Sequence, residues 1–346
     1  MTWQTRREVL KRAGRLGLAT AGLAVLAGCG LSPGRSSAPL SGAAPPEIKT
    51  IRLVQVPTIC QAPQYVVEDL LRSEGFTDVQ YVKKDGTKGI EAALASGEAD
   101  VNMHFAAPLV LRIDAGDPIT ILAGGHVGCF GLFGNDQIQA VRDLKGRSVA
   151  VNELGASQHV FLSSMLAYVG IDPRTDVNFV VQPSNVGKEM LATGAVDAYL
   201  AFPPDRQELR AKQIGRLVVD STVDRPWSQY FCCMIAGNRA FVQKYPAATR
   251  HAVRAILKAA DYCSREPAQA ARSLVDNGYT PNYDYALEAL SGIPYGQWRE
   301  YDAEDTVRFY SLRLQEAGMS KSTPDQILQR GTDWRFFNDL KKELKA

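Results

Sequence analysis

The feature that most constrains this chain is a regular alternation of short apolar strands with helices. Residues 51–56 (IRLVQV) alternate like a strand and stop at Pro57, and the apolar residues of 66–71 then follow helical spacing up to Gly75. The same order continues, with strands predicted at 78–82, 99–103, 119–122, 148–151 and 177–181 and helices predicted to end near Gly97, Gly116, Val169 and Gly194. This βαβ pattern predicts parallel-type sheets with helices on both faces.

A short motif occurs once in each half of this pattern. Residues 94–100 (LASGEAD) return as 191–197 (LATGAVD), and Phe105 and Phe202 keep the same offset from the two copies. In an open α/β sheet, ligands meet the loops at the carboxyl ends of the strands. We therefore expect two lobes whose matched loops, 104–107 and 202–205, face one another across a cleft.

The N-terminus has the pattern of an export signal. Residues 5–11 (TRREVLK) have the form of a twin-arginine signal, and the apolar run 16–28 is shorter than the roughly 20 residues that cross a bilayer as a helix. Residues 26–29 (LAGC) then resemble a lipobox, in which Cys29 becomes lipid-modified and starts the mature protein. The alternative is a plain signal peptide that happens to contain a cysteine.

Residues 30–47 are rich in Ser, Gly, Ala and Pro, which predicts a flexible tether between a lipid and a fold. Two or three acyl chains hold a protein on a membrane, whereas one binds reversibly. We therefore predict a periplasmic or otherwise extracytoplasmic lipoprotein, anchored to the membrane through Cys29. The net charge of +2 suggests neither a nucleic-acid surface nor a polybasic membrane patch.

Three segments resemble a known family, the periplasmic solute-binding proteins for sulfonates, taurine, nitrate and thiamine precursors. Residues 94–101 resemble its first-lobe helix–strand signature, 143–151 (DLKGRSVAV) its entry to the second lobe, and 190–198 its second-lobe helix and strand. The resemblance covers roughly residues 51–267. It implies a type II Venus-flytrap fold of class α/β, with two lobes that each hold a mixed sheet flanked by helices.

The resemblance also implies an organisation and a function. The chain would cross between lobes at 127–133 and 230–236, and closure would be a hinge motion about these crossings. The predicted segments are a signal peptide at 1–28, a tether at 29–47, a first lobe at 48–130 and 237–346, and a second lobe at 131–236. The protein would be a monomer that captures a small organic solute and passes it to the permease and ATPase subunits of an ABC importer, without a cofactor and without catalysis.

The predicted ligand residues lie on loops at strand ends and at the two crossings. In the first lobe and the first crossing they are Thr58, Cys60, Gln61, Gly86, Thr87, His104, Phe105 and His126. In the second lobe they are Asn152, Ser157, Gln158, Phe202 and Asp205. Several of these loops open helices, where unpaired backbone N–H groups favour an anionic or acceptor group. Ordinary helix caps, core packing of the phenylalanines and a satisfied buried His104 are the alternatives.

The cations near these loops bear on the class of ligand. The first four loops carry no arginine at their tips, and Lys84, Lys188 and Arg225 are the nearest cations. A multiply charged anion is usually bound by a bidentate arginine. We therefore expect a compact ligand of low charge, such as one with a single sulfonate, carboxylate or amide group, or a heterocycle.

Five cysteines remain besides Cys29, an odd number that disulfides alone cannot account for. Cys129 and Cys232 fall in the predicted crossings, and Cys233 should point away from Cys232 because side chains alternate along a strand. We expect buried free thiols that need no metal, with only Cys60 on a loop that is accessible in the open state. A Cys129–Cys232 disulfide and a metal site that combines these cysteines with His104 or His126 are the alternatives.

Two other classes of protein compete with a solute-binding protein. The same fold supports pyrimidine-forming enzymes, but a lipid anchor argues against cytosolic biosynthesis, and no nucleophile–base arrangement or phosphate loop is visible in the sequence. The other alternative is a ligand-sensing subunit of a membrane receptor.

Overall fold

A computed structural model of the chain describes residues 44–345. The predicted signal peptide, Cys29 and most of the tether lie outside the described residues. The last tether residues contact the fold: Pro46 is buried, and the Glu47 carboxylate accepts hydrogen bonds from the backbone N–H groups of Ala247 (2.9 Å) and Ala248 (2.7 Å). The composition of this segment predicted nothing to bury, so the ordered fold begins earlier than residue 48.

Ten strands and fourteen α-helices are found among the described residues. The strands are β1 (Thr50–Gln55), β2 (Asp78–Lys83), β3 (Val101–Phe105), β4 (Ile119–Val127), β5 (Gly131–Gly134), β6 (Ser148–Val151), β7 (Asn178–Val181), β8 (Ala198–Ala201), β9 (Arg216–Asp220) and β10 (Phe231–Asn238). The helices of the first two thirds are α1 (Ala62–Tyr65), α2 (Glu68–Ser73), α3 (Thr87–Ser96), α4 (Ala106–Asp114), α5 (Ser157–Tyr168), α6 (Ser184–Ala192) and α7 (Asp205–Ala211). The remaining helices are α8 (Arg239–Lys244), α9 (Pro246–Arg265), α10 (Pro267–Asp276), α11 (Tyr283–Gly292), α12 (Ala303–Glu316), α13 (Pro324–Gly331) and α14 (Arg335–Glu343).

The strands form two groups, one for each lobe. In the first, β1 pairs with β2 in parallel, and β10 lies between β3 and β4 and is antiparallel to both. In the second, the strand order is β7-β6-β8-β5-β9, with β6 parallel to β7 and β8, and β5 antiparallel to β8 and β9. The second-lobe sheet is therefore mixed, and the first lobe combines a parallel pair with an antiparallel three-stranded sheet, because the chain runs back through β5 and β10. The predicted α/β class with mixed sheets and flanking helices is confirmed.

The sequence repeat is also a structural repeat. The Asp100 N–H donates to the Arg52 carbonyl, and the Asp100 carboxylate accepts the Arg52 N–H at 2.8 Å. Likewise, the Asp197 N–H donates to the Ser148 carbonyl, and the Asp197 carboxylate accepts the Ser148 N–H at 2.9 Å. In both copies an aspartate thus fastens the strand that follows the motif to a neighbouring strand, which is β1 in the first lobe and β6 in the second.

The strand β4 is longer than predicted because it runs on through Gly124 and Gly125. A Cβ atom at Gly124 would lie 2.2 Å from the Phe231 ring, so only glycine permits this approach of β4 and β10. The first predicted crossing, 127–133, leads from the end of β4 into β5, whereas residues 231–236 of the second lie within β10. Among residues 44–345, no helix has both the length and the apolar character that crossing a bilayer requires.

Candidate functional site

The two lobes contact one another through the loops at their strand ends. The Pro203 carbonyl of the second lobe accepts the Thr58 hydroxyl and the Ile59 N–H of the first, both at 3.3 Å. A second contact joins the first residues of two facing helices, α3 of the first lobe and α5 of the second. There the Thr87 hydroxyl accepts a hydrogen bond from the Ser157 N–H at 3.4 Å. These contacts bring loops from both lobes together, as expected of a closed cleft.

Aromatic rings fill the middle of this contact. The Phe105 and Phe202 rings, matched in the sequence repeat, lie 5.5 Å apart between centroids. Phe130, in the first crossing, lies 5.0 Å from Phe105 and stacks on Phe161 at 4.3 Å. The sequence analysis missed Phe130 and Phe161. The signal for Phe161 was its position one helical turn after Ser157, which puts both on one face of α5.

Gln61 lies on the loop that follows β1 and is fully buried. Its carbonyl oxygen accepts the Tyr65 hydroxyl at 3.2 Å, while its amide nitrogen has no hydrogen-bond partner among the described residues. A buried amide without a partner is costly, because its desolvation is uncompensated. The Gln61 nitrogen is therefore a donor available to a ligand.

His104 is the penultimate residue of β3, directly before Phe105, and is also fully buried. Its Nε2 lies 3.0 Å from the carboxylate of Glu91, a buried residue of α3 that the sequence analysis did not single out. Nδ1 has no partner in the part of the chain that the structure describes. Glu91 thus orients the imidazole and leaves its other nitrogen free for contact.

Ser157 is the first residue of α5, a helix of 12 residues, and is fully buried. Its hydroxyl has no hydrogen-bond partner within residues 44–345, although its N–H reaches Thr87. Gly86 is the N-cap of the facing helix α3, directly before Thr87. The start of α5 therefore offers a free hydroxyl at the positive end of a helix dipole.

The polar side chains of four other predicted ligand residues already form hydrogen bonds within the protein. Asp205 accepts hydrogen bonds from Tyr199, Ser184 and Lys188, and the Gln158 amide donates to the Leu200 carbonyl at 2.8 Å. Asn152 lies 3.4 Å from the Tyr199 hydroxyl through its side-chain oxygen. The fourth residue is His126, which belongs to the hinge.

Both ring nitrogens of His126 lie within hydrogen-bond distance of backbone carbonyls. Nε2 lies 3.0 Å from the Cys60 oxygen, and Nδ1 lies 3.2 Å and 3.1 Å from those of Val127 and Gly128. Burial alone would lower the pKa of His126, but the charge of Cys233 and these carbonyls raise it. Both ring nitrogens are thus already used within the protein.

Four buried cysteines converge at the hinge. The sulfur atoms of Cys60, Cys129 and Cys233 all lie within 4.8 Å of one another, and the Cys232 sulfur is 2.7 Å from that of Cys129. Cys232 and Cys233 were expected on opposite faces of a strand. That expectation is wrong because a β-bulge shifts the register of β10 against β4 on both sides of Cys233. Cys60, expected to be accessible, is fully buried.

The thiols differ in their acidity. Burial raises the pKa values of Cys60, Cys129 and Cys232 well above the usual range. Burial also acts to raise the pKa of Cys233, but hydrogen bonds from its three cysteine neighbours and the charge of His126 outweigh it. The pKa of Cys233 therefore lies well below the usual value of a thiol.

A cavity of about 350 Å³ lies between the second-lobe helix α7 and the first-lobe helix α11. None of the predicted ligand residues lines it. Its lining includes Cys129, Pro203, Arg206, Gln207, Thr222 and Glu288. The cavity therefore reaches the edge of the cysteine cluster rather than the loops around Gln61, His104 and Ser157.

Comparisons with known proteins agree with this architecture. Residues 44–275 of the 346 match the NMT1-like family. The search of curated proteins found no match.

Solved structures of similar fold include periplasmic binding proteins. The nitrate-binding protein NrtA from Synechocystis PCC 6803 aligns with a TM-score of 0.72 at 14% identity, over 87% of this chain and 90% of that chain. The aliphatic sulphonate-binding protein SsuA from Escherichia coli gives 0.64 at 17% identity, over 82% and 92%. SsuA from Xanthomonas axonopodis pv. citri, bound to MOPS, gives 0.63 at 16%, over 79% and 96%. These likenesses confirm the predicted two-lobed fold.

Proposed function

The chain belongs to the NMT1-like family, and from that premise we propose that it is the extracytoplasmic solute-binding protein of an ABC importer. One observation carries the proposal: Gln61, His104 and Ser157 each keep a buried polar atom without a partner among residues 44–345. All three were predicted as ligand residues from sequence. Buried polar groups in proteins are nearly always hydrogen-bonded, so three such atoms at strand and helix ends around one cleft call for a polar ligand.

The donor and acceptor roles of these atoms indicate which groups the ligand carries. The Gln61 nitrogen donates, the Ser157 hydroxyl donates at the positive end of α5, and His104 Nδ1 accepts when Nε2 carries the proton toward Glu91. The rings of Phe105 and Phe202 offer an apolar contact beside them. We propose a compact solute with an acceptor or singly anionic group at one end and an apolar or heterocyclic body.

The nearby cations favour low ligand charge. Lys84 is paired with Glu98 at 2.8 Å, and Lys188 is paired with Asp205 at 2.7 Å. Each of these charges is thus already balanced within the protein. A multiply charged anion would have to compete with these carboxylates, whereas a single acceptor group needs only the donors above.

A thermal-shift panel of sulfonates, pyrimidines, aromatic acids and amino-acid derivatives tests the proposal. We expect one class to raise the melting temperature by mass action, and Ser157→Ala to weaken that shift. Ser164→Ala is the matched control, because Ser164 is buried on the same helix and its hydroxyl is already bonded to the Phe161 carbonyl at 2.6 Å. Equal ligand shifts in both variants would contradict a ligand at Ser157.

We further propose that the protein is a lipoprotein anchored through Cys29, which lies outside the described residues. Its partners would be the importer's permease and ATPase subunits, and it would act as a monomer with no catalytic role. Cys29→Ala should move the protein from the membrane to the soluble exported fraction, because the acyl chains provide the attachment. Retention of this variant at the membrane at the wild-type level would disprove the anchor while leaving solute binding untouched.

A further inference from the structure

We propose that Cys60, Cys129 and Cys233 form a thiolate site for a soft d10 metal ion, cuprous copper or zinc. This site is separate from solute capture and does not depend on it. It departs from the sequence-based expectation of free structural thiols in the cluster.

The spacing of the sulfur atoms fits one ion. The three sulfurs lie within 4.8 Å of one another. Metal–sulfur bonds of about 2.3 Å put the sulfurs of a shared ion roughly 3.8–4.0 Å apart. An ion can therefore bind after side-chain adjustments of a few tenths of an ångström, without a change in the fold.

The three ligands come from separate parts of the chain. Cys60 follows β1, Cys129 follows β4, and Cys233 lies on β10. A bulge at Cys232 interrupts the pairing of β10 with β4 directly before Cys233, whereas Cys233 stays in register with β3. A bulge that re-aims one side chain is typical of functional positions. The cluster therefore does not follow from strand alternation alone.

The donor set selects the class of ion. The group contains only sulfur, and both ring nitrogens of His126 are occupied by backbone carbonyls. Thiolate donors favour Cu(I) and Zn(II), whereas Mg²⁺ and Ca²⁺ prefer oxygen. Ligand thiols that are protonated before binding release their protons to solvent, so binding should acidify a weakly buffered solution.

Cys232 distinguishes the two ions. Its sulfur is 2.7 Å from that of Cys129, too close for both to bind one ion as they stand. Cuprous ions can bind three thiolates, so copper binding should survive Cys232→Ala. Structural zinc almost always takes four ligands. Zinc binding should therefore need Cys232 to rotate into the site, and it should be lost in that variant.

The site has a route for an ion. Cys129 lines the cavity of about 350 Å³ between α7 and α11, which belong to opposite lobes. Cys60 precedes Gln61, and its carbonyl accepts both His126 and the Tyr295 hydroxyl. A bound ion would thus tie the loop that carries Gln61 to both hinge crossings.

The test is metal titration of the reduced full chain in a Cys29→Ala background, with Cu(I) against a competing chelator and, separately, with Zn(II). We expect one ion per chain. Cys60→Ala, Cys129→Ala and Cys233→Ala should each weaken binding by more than the roughly 10–100-fold typical of losing an outer-shell partner. Cys263→Ala is the matched control, because Cys263 is equally buried but lies on α9 outside the cluster. It should bind like the wild type.

A second measurement keeps the proposal falsifiable if a cluster variant fails to fold. X-ray absorption on the wild-type complex should show at least three sulfur neighbours at about 2.3 Å and no nitrogen or oxygen in their place. Failure of both ions to bind stoichiometrically, or a nitrogen- and oxygen-dominated shell, would overturn the proposal.

Discussion

The two lobes fasten their motif strands in the same way but with different strength. Asp100 accepts the backbone N–H of Arg52 and two bonds from its guanidinium, and its side chain is 3% exposed. Asp197 accepts the N–H and hydroxyl of Ser148, and its side chain is 21% exposed. Both aspartates thus also face an arginine, but Asp197 meets Arg147 only at 3.7 Å and is the more exposed of the two carboxylates.

The difference continues into the cleft. The strand after Asp100 carries His104 near its end, where Glu91 of α3 orients it, whereas the strand after Asp197 leads to Phe202 and Pro203. The first lobe therefore supplies oriented polar side chains, and the second supplies a helix start and backbone carbonyls. The two copies of the motif thus form the same helix–strand unit, while the residues after each motif differ between the lobes.

The largest expected effect on stability comes from replacing the two matched aspartates. Asp100→Ala should lower the free energy of unfolding by about 3 kcal/mol, because it leaves a buried N–H and an arginine unpaired. Asp197→Ala should cost about 1–2 kcal/mol, since water reaches the groups it leaves behind. Denaturant unfolding of both variants measures this difference. Equal losses would contradict the comparison.

Acid should weaken one carboxylate cluster of the first lobe. Glu74, which directly follows α2, accepts hydrogen bonds from His251, Arg254 and Lys258 of α9. Burial alone would raise the pKa of Glu74, but these partners lower it from 4.5 to about 2.

Because the folded-state pKa lies below the unfolded one, this stabilisation is present above pH 4.5 and is lost as pH falls toward 2. Its size is about 2–3 kcal/mol. Unfolding followed against pH should show Glu74→Gln to be less stable than the wild type at pH 6, with the gap narrowing below pH 4. A gap that stays constant with pH would contradict the assignment.

Replacing the glycine that ends the motif helix should destabilise the protein equally in the two lobes. Gly97 and Gly194 both have positive φ, +77° and +73°, and an added Cβ would meet only ordinary contacts at the first and nothing at the second. Gly97→Ala and Gly194→Ala should therefore each cost about 1–2 kcal/mol, through backbone conformation alone. Thermal unfolding of the pair checks this, and a clearly larger loss at either position would point to a contact that the structure does not show.

The smallest effect concerns a contact between the lobes. Lys88 and Glu153 pair at 2.7 Å with side chains 44% and 54% exposed. Exposed pairs contribute about 0.2–1 kcal/mol and are screened by salt. Glu153→Gln should thus weaken binding of the best panel compound by no more than about fivefold, with less effect at high salt. A tenfold or greater loss would make this pair part of the binding site.

Sequence patterns predicted the helices and most strands of the two βαβ halves, because apolar periodicity and glycine caps are local signals. The antiparallel strands β5 and β10 carry no such signal, since their direction depends on tertiary pairing. The bulge at Cys233 was missed for the same reason. At the cleft, sequence predicted Gln61, His104 and Ser157, but only the structure distinguishes them from His126 and Asp205, whose polar atoms are already bonded within the protein.

Closure of the lobes on a solute is the central claim, and small-angle X-ray scattering tests it most directly. The radius of gyration should be measured with and without the panel compound that raises the melting temperature most. Binding at Gln61, His104 and Ser157 should draw the lobes together and lower that radius, and Ser157→Ala should need more compound for the same compaction. A compound that binds at micromolar strength with no change in the radius of gyration would contradict capture by hinge closure.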